Sequence, residues 1–194
     1  MQDALEPKKI GIIVDSASFH NLMRIIGIGQ VNLQKLLEVI NREVSEMIQA
    51  PVIVAFARYI TAAENPNRFK KRVTFAGFDF ISTAPDVEDS DDDEVNRQIV
   101  LTNQDSLAAL IVVTADVLDY AKSLEIKRSQ NVQIFIATIT ADESNGHAPL
   151  SMHSRIIMAE NQYILIDLEK YKKDLLVTEW VDLARPHVTG MDTN

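Results

Sequence analysis

The chain has 194 residues, 46% of them apolar, with six glycines and six prolines, a composition typical of a folded domain rather than a disordered or collagen-like chain. It has no cysteine, which excludes disulfides, cysteine nucleophiles and cysteine-based zinc sites. The formal net charge of −9 does not favour generic binding to duplex DNA.

The first half of the chain alternates strands and helices. Lys9–Asp15 is apolar and β-branched, which predicts a buried first strand. Apolar residues recur at helical spacing over Asn32–Ile48, which predicts a helix that Pro51 ends. The remaining predicted elements of this half are a strand at Val52–Arg58, a helix from Asn65-Pro66 to Gly77, and a weak strand at Asp79–Thr83.

The second half continues the same alternation. Leu110–Thr114 and Val132–Thr138 are short, strongly apolar runs that predict buried strands. The other predicted elements are helices at Glu94–Gln104, Val117–Arg128 and Ser151–Glu160, a strand at Tyr163–Asp167, and an edge strand or docking arm at Val177–Val181.

Alternating strands and helices predict a three-layer α/β/α fold around a mostly parallel sheet of five to six strands. We expect residues 1–172 to form one domain and residues 173–194 a C-terminal tail or docking arm. No apolar run reaches the roughly 18 residues that a membrane span needs. The N-terminal residues MQDALEPKK lack a signal-peptide core, so we expect a cytoplasmic protein with no membrane partner.

Most of the excess negative charge lies in one segment. Seven acids occur between Pro85 and Glu94, and the other 21 acids nearly balance the 19 bases of the chain. The segment is either a solvated loop or part of a site that binds cations.

Acidic side chains also stand where strands end. Asp15 closes the first predicted strand, and Asp116 follows the fourth, with Asp119 one helical turn further on. If these strands are neighbours, their backbones lie about 4.8 Å apart. Two carboxylates so close repel each other, and Mg²⁺ or Mn²⁺ would relieve that repulsion. Asp15, Ser18, Asp116 and Asp119 are therefore candidate metal ligands.

Each of these acids also has a purely structural interpretation. Asp15 would cap the loop that follows it, and Asp116 would cap its helix. Asp119 would be a first-turn acid that the helix dipole favours. Both interpretations stay open at the level of sequence.

Basic residues cluster between positions 58 and 72. Arg68, Lys71 and Arg72 have helical spacing, and Arg58 ends the preceding strand. They form either a solvated helix face or a track for the phosphates of a nucleic acid. A dinucleotide fingerprint is not supported, because Gly27-Ile28-Gly29 lacks the third glycine and follows no strand directly.

Residues 8–168 resemble the NYN domain family, a PIN-like nuclease fold that includes LabA-type proteins. The resemblance rests on the order of four blocks rather than on any single motif. The blocks are Ile12–Ser18, Asp91-Asp92-Asp93, Val112–Tyr120 and Ser154–Leu168. In the first block, the family's usual asparagine is either replaced by Ser18 or displaced to Asn21. The third block places Asp119 three residues after Asp116 instead of two. On a helix that extra residue turns the second carboxylate by about 100°.

The resemblance implies a PIN-like sheet, a divalent-metal pocket and cleavage of single-stranded or structured RNA. Asp15, Asp93 and Asp116 would be catalytic and would bind Mg²⁺ or Mn²⁺ together with Asp92, Asp119 and Ser18. The alternative is a catalytically inactive PIN-like module that binds RNA or a protein partner. A homo-oligomer is compatible with either function and is not argued from sequence.

Overall fold

A six-stranded sheet runs through the centre of the protein. The computed structural model describes residues 6–61, 67–83, 91–101, 107–140 and 150–177, apart from the side chains of residues 91 and 92. The strands are β1 (Lys8–Asp15), β2 (Val52–Thr61), β3 (Asp79–Ser82), β4 (Leu107–Val113), β5 (Gln133–Thr138) and β6 (Ile164–Asp167). Their order is β3-β2-β1-β4-β5-β6, and every neighbouring pair is parallel. The predicted strands are confirmed with shifts of up to three residues at their ends.

Helices cover both faces of this sheet. In the described residues they are α1 (Ser16–Ile25), α2 (Leu33–Ile48), α3 (Asn67–Phe75), α4 (Asp91–Val100), α5 (Ala121–Ser129), α6 (Met152–Asn161) and α7 (Lys172–Leu175). The side chains of α1, α2, α3 and α7 enter one hydrophobic cluster, and those of α4, α5 and α6 enter the cluster on the opposite face. The predicted three-layer α/β/α architecture is therefore confirmed.

Strand β1 forms the middle of the sheet because it can be buried on both faces. Ile12 and Val14 pack into one cluster, while Ile13 points into the other. The ring of Phe56 on β2 packs against Gly11 and occupies the space that a side chain at position 11 would fill. This close approach explains why a glycine interrupts an otherwise β-branched strand.

Helix α2 shows how the sequence pattern becomes local structure. The side chain of Asn32 accepts a hydrogen bond from the N–H of Lys35 and caps the first turn. Leu36, Ile40 and Val44 lie on the buried stripe of the helix. The predicted helix from Asn32 to Ile48 is thus confirmed.

Helix α1 was not predicted. Asp15 is not followed by the loop that its structural interpretation expects, because it caps a helix of ten residues. Its buried residues include Phe19, Leu22 and Met23, whose spacing is helical. A correction also applies to the helix predicted from Val117, because that segment starts with a 3₁₀ turn at Leu118–Tyr120 before α5 begins.

Several predictions fall on residues outside the described ranges. They include the loop at residues 84–90, the proposed helix start at residues 65–66, and most of the edge strand predicted at Val177–Val181. Within the described part, Leu175 is buried at the end of α7. The next residue, Leu176, forms an isolated antiparallel bridge with Val31. No helix in that part is long and apolar enough to cross a membrane.

The strand order determines where a site can form. The chain moves outward from β1 to β3 and then returns to place β4 on the other side of β1. In open parallel sheets, ligands bind at the carboxyl ends of the strands where the order reverses. Here that point lies between β1 and β4, which end in Asp15 and Val113.

Candidate functional site

The ends of β1 and β4 bring Asp15 next to Thr114. Val14 pairs with Val113 in the parallel register of these two strands. The residues that follow them, Asp15 and Thr114, therefore lie side by side at the edge of the sheet. Both side chains are buried, with 2% of Asp15 and none of Thr114 exposed. A buried carboxylate needs compensating partners, and the neighbouring elements supply them.

Three donors converge on the Asp15 carboxylate. The N–H of Ser18 donates to Oδ1 at 3.2 Å, as expected for the N-cap of α1. The hydroxyls of Thr114 and Tyr120 donate to Oδ2 at 3.2 and 2.9 Å. No described lysine, arginine or histidine forms an ion pair with this carboxylate. The described partners of this buried carboxylate are therefore neutral donors, one of them at the N-terminus of α1.

Thr114 connects Asp15 to Asp116. Its hydroxyl oxygen accepts a hydrogen bond from the N–H of Asp116 at 3.1 Å while the hydroxyl proton reaches Asp15. Ser18 Oγ and the Asp116 carbonyl lie within 3.3 Å of the same hydroxyl, but the charged carboxylate is the stronger acceptor. One side chain thus organises the polar groups at both strand ends.

The Asp116 carboxylate has partners of its own. The N–H of Leu118 donates to Oδ1 at 3.0 Å, and Ser154 Oγ approaches the same oxygen at 3.4 Å. Ser154 is fully buried near the start of α6 and accepts a hydrogen bond from the N–H of Val117 at 3.2 Å. Asp116 itself is half-buried, and no donor among the described residues reaches its Oδ2.

The predicted acids are only partly brought together. Asp15, Ser18 and Asp116 meet around Thr114. Asp93 and Asp119 are both exposed, and the side chain of Asp92 lies outside the described residues. Asp119 contributes its backbone carbonyl to Asn96 on α4 at 2.9 Å. Within the described ranges, no group of three or more acidic or histidine side chains is arranged to hold a metal ion.

The donor set nevertheless suits a hard divalent cation. All its atoms are oxygens, and Mg²⁺ in proteins is often held by one or two carboxylates with water or phosphate oxygens completing its shell. Asp116 Oδ2 has no donor among the described residues, and Asp15 uses three of about four acceptor positions of its carboxylate. These oxygens are the ligand type that such an ion prefers, and Asp15 and Asp116 would hold it without a third carboxylate from the described part of the chain.

Asp15 also affects the pKa of Tyr59 on β2. Burial raises the pKa of the Tyr59 hydroxyl well above its ordinary value, and the negative charge of Asp15 raises it further. Tyr59 therefore stays neutral at physiological pH. Its hydroxyl lies 3.5 Å from His20 Nδ1 on α1, so this helix links the acidic site to a neighbouring aromatic cluster.

The basic residues lie on two different surfaces. Arg68, Lys71 and Arg72 are exposed on α3, which covers the face of the sheet that carries Tyr59. Arg58 points to the opposite face, because side chains alternate along β2, and its guanidinium stacks 4.4 Å from the ring centroid of Phe56. The structure thus groups three of the four predicted phosphate contacts and separates Arg58 from them.

Sequence reasoning did not include Thr114, Tyr120 or Ser154 among the site residues. Each is a hydroxyl residue that is fully buried, a combination that requires hydrogen-bond partners. A polar residue at the end of the apolar run Leu110–Val113 was the available signal for Thr114. The roles of Tyr120 and Ser154 depend on how the 3₁₀ turn and α6 approach the sheet, which no local pattern reveals.

Comparisons with known proteins support the fold but do not assign an activity. The chain is similar to a protein of unknown function from Vibrio parahaemolyticus, with a TM-score of 0.62 and 16% identity over 87% of this chain and 98% of the other. It also matches homoserine dehydrogenase from S. aureus with a TM-score of 0.36 and 12% identity, over 84% of this chain and only 32% of the enzyme. No protein-family model matches the sequence, and no curated protein matches it.

Proposed function

We propose that the protein is a metal-dependent ribonuclease of the NYN type that hydrolyses RNA phosphodiesters at the Asp15–Asp116 site. The observation that carries the proposal is the bridge through Thr114, whose hydroxyl joins the Asp15 carboxylate to the backbone N–H of Asp116 at the switch point of a parallel sheet. Charges gathered at such a position are typical of ligand sites rather than of surface solvation. The expected cytoplasmic location would give the enzyme access to its RNA.

Asp15 and Asp116 would hold Mg²⁺ or Mn²⁺ in this function. When bound, the ion would polarise the phosphodiester and neutralise the charge that develops on its oxygens. Asp93 and Asp92 remain candidate additional ligands by resemblance to the family. Asp119 and Ser18 are candidates in the same sense, and Ser18 already lies beside the Thr114 hydroxyl.

The other residues would position these carboxylates. Hydrogen bonds from Thr114 and Tyr120 hold the Asp15 carboxylate in place through Oδ2. Ser154 and the N–H of Leu118 restrain Asp116 through Oδ1, which leaves Oδ2 directed away from these donors. The exposed bases Arg68, Lys71 and Arg72 would attract the RNA backbone without reading its sequence.

Cleavage of end-labelled single-stranded RNA in the presence of Mn²⁺ tests the proposal. The wild-type protein should give a product that is lost on chelation and in the Asp15→Asn and Asp116→Asn variants. Asp79→Asn, which changes an exposed acid at the start of β3, is the matched control and should retain activity. Cleavage that persists in EDTA, or that is equal in Asp116→Asn and Asp79→Asn proteins, would overturn it.

A catalytically inactive module that binds RNA or a protein is the second candidate. It is favoured by the lack of a three-carboxylate group among the described residues and by the three donors already bound to Asp15. In this case the protein would retain RNA or a partner in EDTA and give no product with any divalent ion. The same cleavage assay, run beside a gel-shift experiment, separates the two functions.

A further inference from the structure

A cleft of about 450 Å³ lies between α1 and α3, and α1 begins directly after Asp15. Its volume is in the range of small-molecule sites. Buried side chains such as Phe19, Met23 and Tyr59 form its floor, while polar and charged groups occupy its rim. Apart from Arg72, its lining residues have no part in the proposed function, and they come from several elements of the described chain.

Three rings form one wall of the cleft. The centroid of Phe69 lies 5.7 Å from that of Tyr59 and 6.2 Å from that of His20. Tyr59 is buried, but Phe69 is only half-buried and His20 is exposed, so both retain ring surface that faces solvent. Exposed aromatic surface of this kind offers a planar group a place to stack.

The orientation of His20 is determined by α1. Its Nδ1 lies 2.7 Å from the carbonyl oxygen of Ser16, which can only accept, so Nδ1 carries the proton. In the neutral ring, Nε2 is then left as an acceptor. Because Ser16 directly follows Asp15 in the chain, this wall of the cleft is anchored one residue from the acidic site.

The rim of the cleft is cationic although the chain as a whole is acidic. Arg24 lies one helical turn after His20 on α1, and Arg72 lies one turn after Phe69 on α3. Each helix therefore contributes one ring and one guanidinium. None of the described residues that line the cleft is acidic. A planar group that carries an anion would match both features.

We propose that this cleft binds one nucleotide of a single-stranded RNA, with its base against Phe69 and His20 and its phosphate at Arg24 and Arg72. The inference rests on the proposed function for the choice of RNA, and it names how that substrate is held beside the acids. Stacking on aromatic side chains accepts every base, so the cleft would select single strands rather than a sequence. Paired bases in a duplex cannot reach the ring wall.

Equilibrium binding in EDTA tests this inference without requiring catalysis. The probes are AMP, adenosine and a single-stranded RNA tetranucleotide, titrated by calorimetry into the full-length protein. AMP and the tetranucleotide should bind, the tetranucleotide more tightly, and Phe69→Leu should weaken both by at least about fivefold because it keeps an apolar side chain and removes the ring. Phe75→Ala, which changes an exposed ring on the same helix outside the cleft, should change neither.

The phosphate contact has its own test. Arg72→Ala should weaken AMP binding by at least about fivefold and leave adenosine binding unchanged, since adenosine has no phosphate. Lys122→Ala, an exposed cation on α5, is the matched control and should affect neither probe. Thermal melts followed by circular dichroism confirm that each variant is folded.

The inference is overturned if neither nucleotide probe binds, if only free AMP binds, or if Phe69→Leu and Phe75→Ala proteins bind the tetranucleotide equally. These results are distinct from failure of the proposed function. RNA that binds at the cleft in EDTA but is never cleaved with Mn²⁺ overturns the ribonuclease and leaves the cleft assignment intact. If the protein cleaves RNA but the cleft variants bind RNA as tightly as the wild type, the cleft assignment is overturned and the ribonuclease is left intact.

Discussion

Thr114 donates its hydroxyl to Asp15 across a separation of 99 residues in the chain. The contact exists because β1 and β4 are parallel neighbours whose carboxyl ends meet at one edge of the sheet. The same hydroxyl accepts the N–H of Asp116, so a single side chain joins the Asp15 carboxylate to the Asp116 backbone. The stability and the chemistry of the site therefore depend on this residue.

Replacing Thr114 with valine should destabilise the protein. The shape of the side chain is nearly conserved, but buried Asp15 loses a donor and the N–H of Asp116 loses its acceptor. We expect the free energy of unfolding in urea to fall by about 1–3 kcal/mol. Thr138→Val is the matched control, because Thr138 is also fully buried at a strand end and its hydroxyl has no partner among the described residues. Equal losses in the two variants would contradict the bridging role of Thr114.

Tyr120→Phe removes a single hydroxyl from the site. That hydroxyl donates to Asp15 at 2.9 Å, and a hydrogen bond to a charged group contributes more than one between neutral groups. The free energy of unfolding should fall by about 1–3 kcal/mol. Tyr163→Phe should leave it unchanged or raise it, because the buried hydroxyl of Tyr163 has no partner in the described part of the chain. The prediction is wrong if the two variants show the same stability.

The pKa of Tyr59 reports how close the charge of Asp15 lies. Burial raises this pKa first and Asp15 raises it further, so Asp15→Asn should lower it while burial keeps it above the usual value near 10. The absorbance at 295 nm is measured against pH for the wild-type and Asp15→Asn proteins. Subtracting the curve of the same protein with Tyr59→Phe isolates the titration of Tyr59. If the pKa of Tyr59 is the same in the Asp15→Asn protein, the charge of Asp15 lies too far away to affect it, and the prediction is wrong.

The same shift predicts how stability varies with pH. The folded-state pKa of Tyr59 lies above its unfolded-state value, so the unfolded chain loses this proton first as the pH rises. The contribution of Tyr59 is fully present below about pH 10 and is lost as the pH rises toward the folded-state pKa. The free energy of unfolding of the Tyr59→Phe protein should therefore fall less at alkaline pH than that of the wild-type protein.

Gly11→Ala tests the packing at the centre of the sheet. A methyl group at position 11 would overlap the ring of Phe56, and we expect a loss of about 1–3 kcal/mol in the free energy of unfolding. Gly29→Ala is the control, because no described atom lies within 4 Å of the added carbon. Adding Phe56→Leu to Gly11→Ala should recover part of the loss. A failure to recover would mean that the strain lies elsewhere.

Much of the fold could be predicted because central strands of a parallel sheet must be apolar on both faces. Runs such as Leu110–Val113 and Val132–Thr138 are visible without any tertiary information. Helix α1 could not be recognised in the same way, since Ser16-Ala17-Ser18 is typical of a turn. Its buried residues Phe19, Leu22 and Met23 carry a helical spacing that the polar start obscures.

The site could be predicted only as far as it depends on strand ends. Asp15 and Asp116 were expected together because parallel strands finish at the same edge, and Thr114 contacts Asp15 through its carboxylate and Asp116 through its backbone. The hydroxyl network around them depends on the approach of α6 and the 3₁₀ turn, which local patterns do not encode. The exposed position of Asp119 likewise depends on the turn geometry after β4 rather than on its distance from Asp116 in sequence.

Calorimetric titration with Mn²⁺ tests the central claim most directly, because the claim is that Asp15 and Asp116 form one site for a divalent ion. The wild-type and Asp79→Asn proteins should bind the ion with equal affinity, while Asp15→Asn and Asp116→Asn should each weaken binding by about tenfold or more. Absence of binding to the wild-type protein, or equal affinity in Asp116→Asn and Asp79→Asn, would contradict the account.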